Sequence, residues 1–282
     1  MRTDALPTAR APWARCRSIL TAELPAMSST SRRFLTRGLM LTVGGLVEVD
    51  HPERLRSLTG PVLFALNHSN AFEALAAPLA LVWHRGGRPV HFFADWMYLH
   101  LPLVGWVLRH SEPIPVYGKP ARWRLGERFR RAQACREPPL EAALARLAAG
   151  GSVGIFPEGT RNGDPARLLR GRGGLGEIVL QSTAPVVPVG IRHPAAERLG
   201  RTPVAGRIEL RIGEPMDFPE RALAAGSPAW MRRALVRRVI SRVMAEVAAL
   251  AGKTYDHDFQ FAPLPGRPPY RGPAGAGILK GA

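Results

Sequence analysis

Apolar positions along this chain fall into two alternating rhythms. Short runs rich in β-branched and aromatic residues have the length and the Gly and Pro flanks of strands: PVLFALN from Pro61, PVHFFADW from Pro89, EPIPVY from Glu112, SVGIFPE from Ser152, VVPVGI from Val186 and GRIELRIG from Gly206. Between them lie stretches with apolar residues three and four apart, the period of a helix packed on one face: AFEALAAPLALVWH, WRLGERFRRAQA, LEAALARLAAG, LGEIVLQS and the long PAWMRRALVRRVISRVMAEVAALAG. A Leu-rich stretch runs to Arg109. This alternation predicts an α/β fold, a single domain whose central mixed sheet is covered by helices on both faces. Ahead of it, RRFLTRGLMLTVGGLVEV begins basic and turns apolar, which fits an amphipathic N-terminal helix at a membrane interface or one docked on the domain. The predicted organisation is a flexible segment over 1–30, a domain over 31–252 including that helix, and a Pro/Gly-rich flexible tail over 253–282.

Composition narrows the class. A chain of 282 residues with 46% hydrophobic content can bury a sizeable core. No run approaches the eighteen or so apolar residues of a membrane span. The first thirty residues lack the compact apolar centre of a secretory signal, and Met27 offers an alternative start. A formal net charge of +17 favours an anionic partner, either a membrane surface or a phosphorylated substrate. Nucleic acid is not expected, because the arginines are spread without aromatic interleaving or a recognisable motif. Cys16 and Cys135 are unpatterned, so no disulfide framework is expected, and with no His or Cys ligand cluster no metal is.

Two short motifs match well-known chemistry in the wrong context. GGSVG, 150–154, has the spacing of a nucleophile elbow, yet a helical pattern precedes Ser152 and a strand pattern follows it, the reverse of what exposes a nucleophile. Gly150 and Gly151 read better as a helix stop. GRGGLG, 171–176, has the dinucleotide spacing but follows the polar NGDPARLLR instead of a strand.

LFALNHSNAFEALAAPL, 63–79, places His68 after an apolar run and Glu73 five residues later. In an unbroken helix these residues would lie about 140° apart. A strand ending at Asn67 and a helix starting at Asn70 would instead let the carboxylate meet the imidazole, fix its tautomer and stabilise the imidazolium formed when His68 takes a proton. Asn70 and Glu73 also have capping-box spacing, so the same carboxylate is equally readable as a helix cap. GIFPEGTRNG, 154–163, is a strand ending in a turn with Glu158, Gly159, Thr160 and Arg161, and backbone N–H groups beside a hydroxyl and a guanidinium suit a phosphate.

Together NHSNAFE, SEPIPVYGK, FPEGTRN and VVPVGI, with RIGEP ending at Pro215, resemble the four ordered blocks of the lysophosphatidate acyltransferases, a family within the glycerolipid acyltransferase superfamily, over roughly residues 45–217. Glu73 stands where that family has Asp. Asn70 stands where it has Ser, with Ser69 one place earlier. Lys119 or Arg122 must stand in for the arginine of the second block. The resemblance implies acyl transfer from acyl-CoA or acyl carrier protein, as co-substrate and with no further cofactor, to the hydroxyl of a lysophospholipid. Lysophosphatidate is the first expectation, and the setting is peripheral or monotopic, at an anionic membrane surface on the cytoplasmic face. It further implies that His68 is the base and Glu73 its partner, and that Glu158, Gly159, Thr160 and Arg161, with Lys119 or Arg122, hold the acceptor's anionic head. An amino-acid lipid as acceptor, or a catalytically weak membrane-binding homologue, are the alternatives. The aromatic HFFADWMYLHLPLVGWVLR, 91–109, is a candidate surface for the acyl chain.

Overall fold

A computed structural model describes residues 12–118, 120, 126–128, 130, 133 and 138–257. Its strands are β1 (Val47–Asp50), β2 (Leu63–Leu66), β3 (Val90–Asp95), β4 (Ile114–Val116), β5 (Ser152–Ile155), β6 (Val186–Arg192) and β7 (Ile208–Ile212). The helices are α1 (Pro12–Thr21), α2 (Thr30–Val43), α3 (Pro52–Ser57), α4 (Glu73–His84), α5 (Trp96–Leu99), α6 (Pro102–His110), α7 (Pro139–Ala148), α8 (Gly173–Gln181), α9 (Ala196–Leu199), α10 (Glu220–Ala224) and α11 (Ala229–Ala251). The strands form one sheet in the order β1-β7-β6-β2-β5-β3-β4. Only β6 and β7 pair antiparallel, so the sheet is mixed, as the alternation predicted.

The central strands are almost wholly buried, with Ser152 at the start of β5 and Arg192 at the end of β6 as their polar members, because helices cover both faces. In β2 all four residues are buried, and they divide by parity. Leu63 and Ala65 join the core under α7, α8 and α11, while Phe64 and Leu66 join the core under α3 and α4. Each such side chain withdrawn from water is worth about 1.5–3 kcal/mol for a Leu or Phe. Pro188 sits inside β6 without breaking a ladder bond. Its carbonyl accepts from Gly213 N, just past the end of β7, so its missing N–H faces the side on which β7 has already finished.

Several boundaries differ from the pattern-based expectation. Val47–Asp50 is an additional edge strand, paired in register with Ile208–Arg211. The chain from Pro12 is ordered where a flexible lead was expected, because Ile19 packs with Met40 and Leu79 in a small cluster of its own. α2 carries Ser29 as its N-cap, buries Thr36 and Met40 and leaves Phe34 exposed, so it is docked along one side only. The helix expected over 123–134 falls largely outside the described residues.

Both decoy motifs have structural explanations. Gly150 has φ +82°, and its N–H bonds to Leu147 O (3.0 Å) while Gly151 N–H bonds to Arg146 O (2.9 Å), a Schellman stop to α7. In the second motif, a side chain on Gly171 would strike Ile240 and Met244, and one on Gly176 would strike the Val236 backbone, so these glycines let α8 approach α11. Ser152 is buried at the start of β5, where its hydroxyl accepts from Arg85 Nη1 (2.9 Å) and Val62 N (3.2 Å). Arg85 is itself buried, and desolvation, with repulsion from Arg88, brings its pKa down to about 10. Ser152→Ala therefore removes an acceptor from a buried cation and should lower unfolding stability by about 1–3 kcal/mol in urea titrations, while the folded fraction keeps its specific activity.

Candidate active site

β2, β5 and β6 run parallel as neighbours, so the loops leaving their carboxyl ends meet at one edge of the sheet. Asn67 directly follows β2 and shapes the exit. Its side chain replaces the next ladder residue, giving Nδ2 to Ile191 O (3.0 Å) and accepting from Ile191 N (2.7 Å). The backbone is thereby free to leave the sheet at His68 without orphaning β6.

His68 is then held on both sides of its own residue. Its N–H donates to Glu158 Oε1 (3.0 Å) and its carbonyl accepts from Asn162 N (2.8 Å), both from the loop after β5. Phe156 stacks on the imidazole with ring centroids 4.4 Å apart. Nδ1 lies 2.9 Å from Glu73 Oε1. The side chain is 16% exposed, and among the described residues Nε2 makes no hydrogen bond.

Glu73 is completely buried. Oε1 also accepts from the backbone N–H groups of Ser69 and of Asn70 (3.1 Å), while Asn70 Oδ1 accepts from Glu73 N (3.0 Å). The reciprocal Asn70–Glu73 pair is the capping box, so the cap and the His68 contact are made by one carboxylate at once. α4 begins at Glu73 and not at Asn70 as expected, because Asn70–Phe72 form the turn that these bonds close. Burial pushes the Glu73 carboxyl up, but hydrogen bonds from His193, His68 and Ser69 N, with attraction to His68, outweigh it and leave the group below its ordinary 4.5.

His193 escaped the sequence reading. It directly follows β6 and is buried, with Nε2 2.9 Å from Glu73 Oε2. The sequence places it just beyond an apolar run, and only the pairing of β6 with β2 brings it to Glu73. Lys253 was also missed, because it sits at the head of the expected tail. Residues 253–257 instead cross the site. Lys253 Nζ donates to Ser69 Oγ (3.3 Å) and Asp164 O (2.7 Å), and Thr254 exchanges backbone bonds with Ala166 and Leu168. Burial lowers the Lys253 pKa, partly offset by Glu158, Glu73 and Asp164.

The FPEGTRN turn divides into an inner and an outer part. Glu158 is buried and spent: Oε1 on His68 N, Oε2 on Asn162 Nδ2 (2.9 Å) and Leu169 N (2.8 Å). The carboxylate expected to hold a head group is thus engaged with the backbone and side chains around His68. Gly159 adopts φ +66° against Arg172, whose Nε donates to Glu158 O (3.1 Å). Thr160 and Arg161 are exposed, and Arg161 has no hydrogen bond among the described residues. Lys119 and Arg122 lie outside the described residues. Also among the described residues, no group of His, Cys, Asp and Glu could hold a metal ion, and no helix is long and apolar enough to cross a membrane.

A protein-family model described as Acyltransferase matches residues 46–192. No curated protein matches the chain. Among solved structures, the chain is similar to that of the 1-acyl-sn-glycerophosphate (LPA) acyltransferase PlsC from Thermotoga maritima, at 20% identity and a TM-score of 0.47, over 84% of this chain and 81% of that one.

With four donors on one buried carboxylate, the amide of Glu73→Gln must turn an N–H toward a donor. Its stability at pH 7 should fall by about 1–3 kcal/mol, which chemical unfolding will measure. The folded-state pKa of Glu73 is depressed, so its contribution is complete above the ordinary 4.5 and is lost as pH falls through the lower folded value. Wild type should therefore lose more stability than Glu73→Gln between pH 6 and pH 3.5.

Proposed function

The chain belongs to the acyltransferase family, and from that premise we propose that it moves a fatty acyl group from a thioester, on coenzyme A or acyl carrier protein, to the hydroxyl of a lysophospholipid. Lysophosphatidate is the first candidate acceptor. The observation that carries this reading is the His68–Glu73 contact: an imidazole oriented through Nδ1 by an ionised carboxylate, with Nε2 unengaged by any described residue and the side chain partly exposed.

In the proposed reaction His68 Nε2 takes the proton of the acceptor hydroxyl as its oxygen attacks the thioester carbonyl. Glu73 stabilises the imidazolium that forms. The tetrahedral intermediate expels the thiolate, which takes the proton from His68, so the enzyme ends as it began and no acyl-enzyme is formed. Gly159, Thr160 and Arg161 are the exposed members of the turn, and the last two supply a hydroxyl and a guanidinium for an anionic head. Glu158 and Asn162 act one step back by fixing the backbone of His68.

Lipid would approach over an exposed apolar surface. Met97, Tyr98, Leu101, Val104 and Trp106 are exposed large apolar residues on or beside α5 and α6, close in sequence to Arg109. They fall within the aromatic stretch expected to accept an acyl chain, and an anionic membrane on the cytoplasmic face would meet the positive charge of the chain.

Thioester consumption with a panel of lysolipids tests the reading. Turnover is expected with at least one phosphate-bearing acceptor, and its absence with every acceptor and both carriers would refute it. His68→Ala should lower kcat/KM by about a hundred- to ten-thousandfold with normal folding. Arg161→Ala should raise the acceptor KM, by a loss of about 1.5–3 kcal/mol, and leave the thioester KM unchanged. An equal rise in both would place Arg161 elsewhere.

A further inference from the structure

Glu73 Oε2 has one partner among the described residues, Nε2 of His193, on the side of the carboxylate away from His68. An ionised carboxylate only accepts, so His193 carries its proton on Nε2. Its Nδ1 is buried and makes no hydrogen bond among the described residues, so no proton path leads onward from His193 within them. Nor is it filler: the side chain is 2% exposed, and its one polar contact among the described residues is made to the carboxylate that touches His68.

We propose that His193 is a positioning residue for the acyl-transfer reaction, anchoring Glu73 Oε2 so that Oε1 stays aimed at His68. This rests on the function proposed above. The anchor explains why the long side chain of Glu serves here. The carboxylate spans two imidazoles, one after β2 and one after β6. Shortening by one methylene draws the oxygens back by about 1.5 Å, beyond hydrogen-bond range of one ring or the other. Lys253, whose ammonium also feels the Glu73 charge, is engaged by Ser69 and Asp164 and gives Oε2 no donor.

The test compares His193→Gln, whose amide nitrogen reaches about as far as Nε2 and still donates, with His193→Phe, which fills the space without a donor. Nitrogen-15 NMR of the histidine rings reads the His68 tautomer without any substrate. The expected result is that Phe disturbs the His68 Nδ1–H signal and lowers kcat by about 10- to 100-fold, the range that partners once removed from the reacting group show at metal centres. KM should be unchanged, and Gln should restore both readouts. Should Phe fail to fold, His193→Asn, whose amide ends short of Oε2, takes its place with the same expectation. An unchanged His68 signal in the donor-free variant overturns the proposal, as does equal loss of kcat in the Gln and donor-free variants. If no lysolipid is acylated by wild type but the His68 signal still follows the donor, the positioning stands and the proposed reaction falls.

Discussion

A carboxylate sealed from water must find all of its stabilisation inside the protein, and Glu73 does so with four donors. Two are backbone groups of its own turn, and two are imidazoles delivered by strands far apart in sequence. This requirement ties the fold to the site. The turn after β2 must close tightly enough to aim Ser69 and Asn70 inward, and β6 must lie beside β2 for His193 to arrive. Any rearrangement that withdrew one donor would leave a buried charge short of partners.

The same economy governs the neighbouring loops. Asn67 continues the ladder of β2 with a side chain where the backbone departs, and Glu158 accepts from three separate points on the chain. Polar residues that a motif would present as ligands for substrate are thus used up in holding backbone. What remains at the surface of the turn, Thr160 and Arg161, is the part free to meet another molecule. A conspicuous polar motif can be mostly scaffold.

Strand identity was readable from short apolar runs bounded by Gly and Pro, and β2, β3, β4, β5, β6 and β7 lie where those runs predicted. β1 was not, because VEVD is a four-residue edge strand with alternating acidic residues and looks like the end of a helix-to-loop passage. The His68–Glu73 contact was legible as one of two readings, and local spacing could not choose because both are true of a single carboxylate. His193 and Lys253 were out of reach for another reason. Each is brought in by long-range pairing, β6 on β2 and 253–257 on the loop after β5, and a lone histidine or lysine at the end of an element carries no periodic signal. Glu158 was visible as part of the turn, but its burial and its three scaffold bonds were not, since sequence does not tell an exposed acid from a buried one.

The crossing of residues 253–257 over the loop after β5 also sets an order of assembly. A growing chain acquires His68 and Glu73 early, gains Glu158 some ninety residues later and His193 after that, and receives Lys253 only once the long helix α11 has been made. β1 must likewise wait for β7, about 160 residues downstream, before it has a partner. Pairings of such sequence separation form late and slowly. A nascent chain thus carries His68 and Glu73 through about 180 further residues before residues 253–257 arrive to close the site around them.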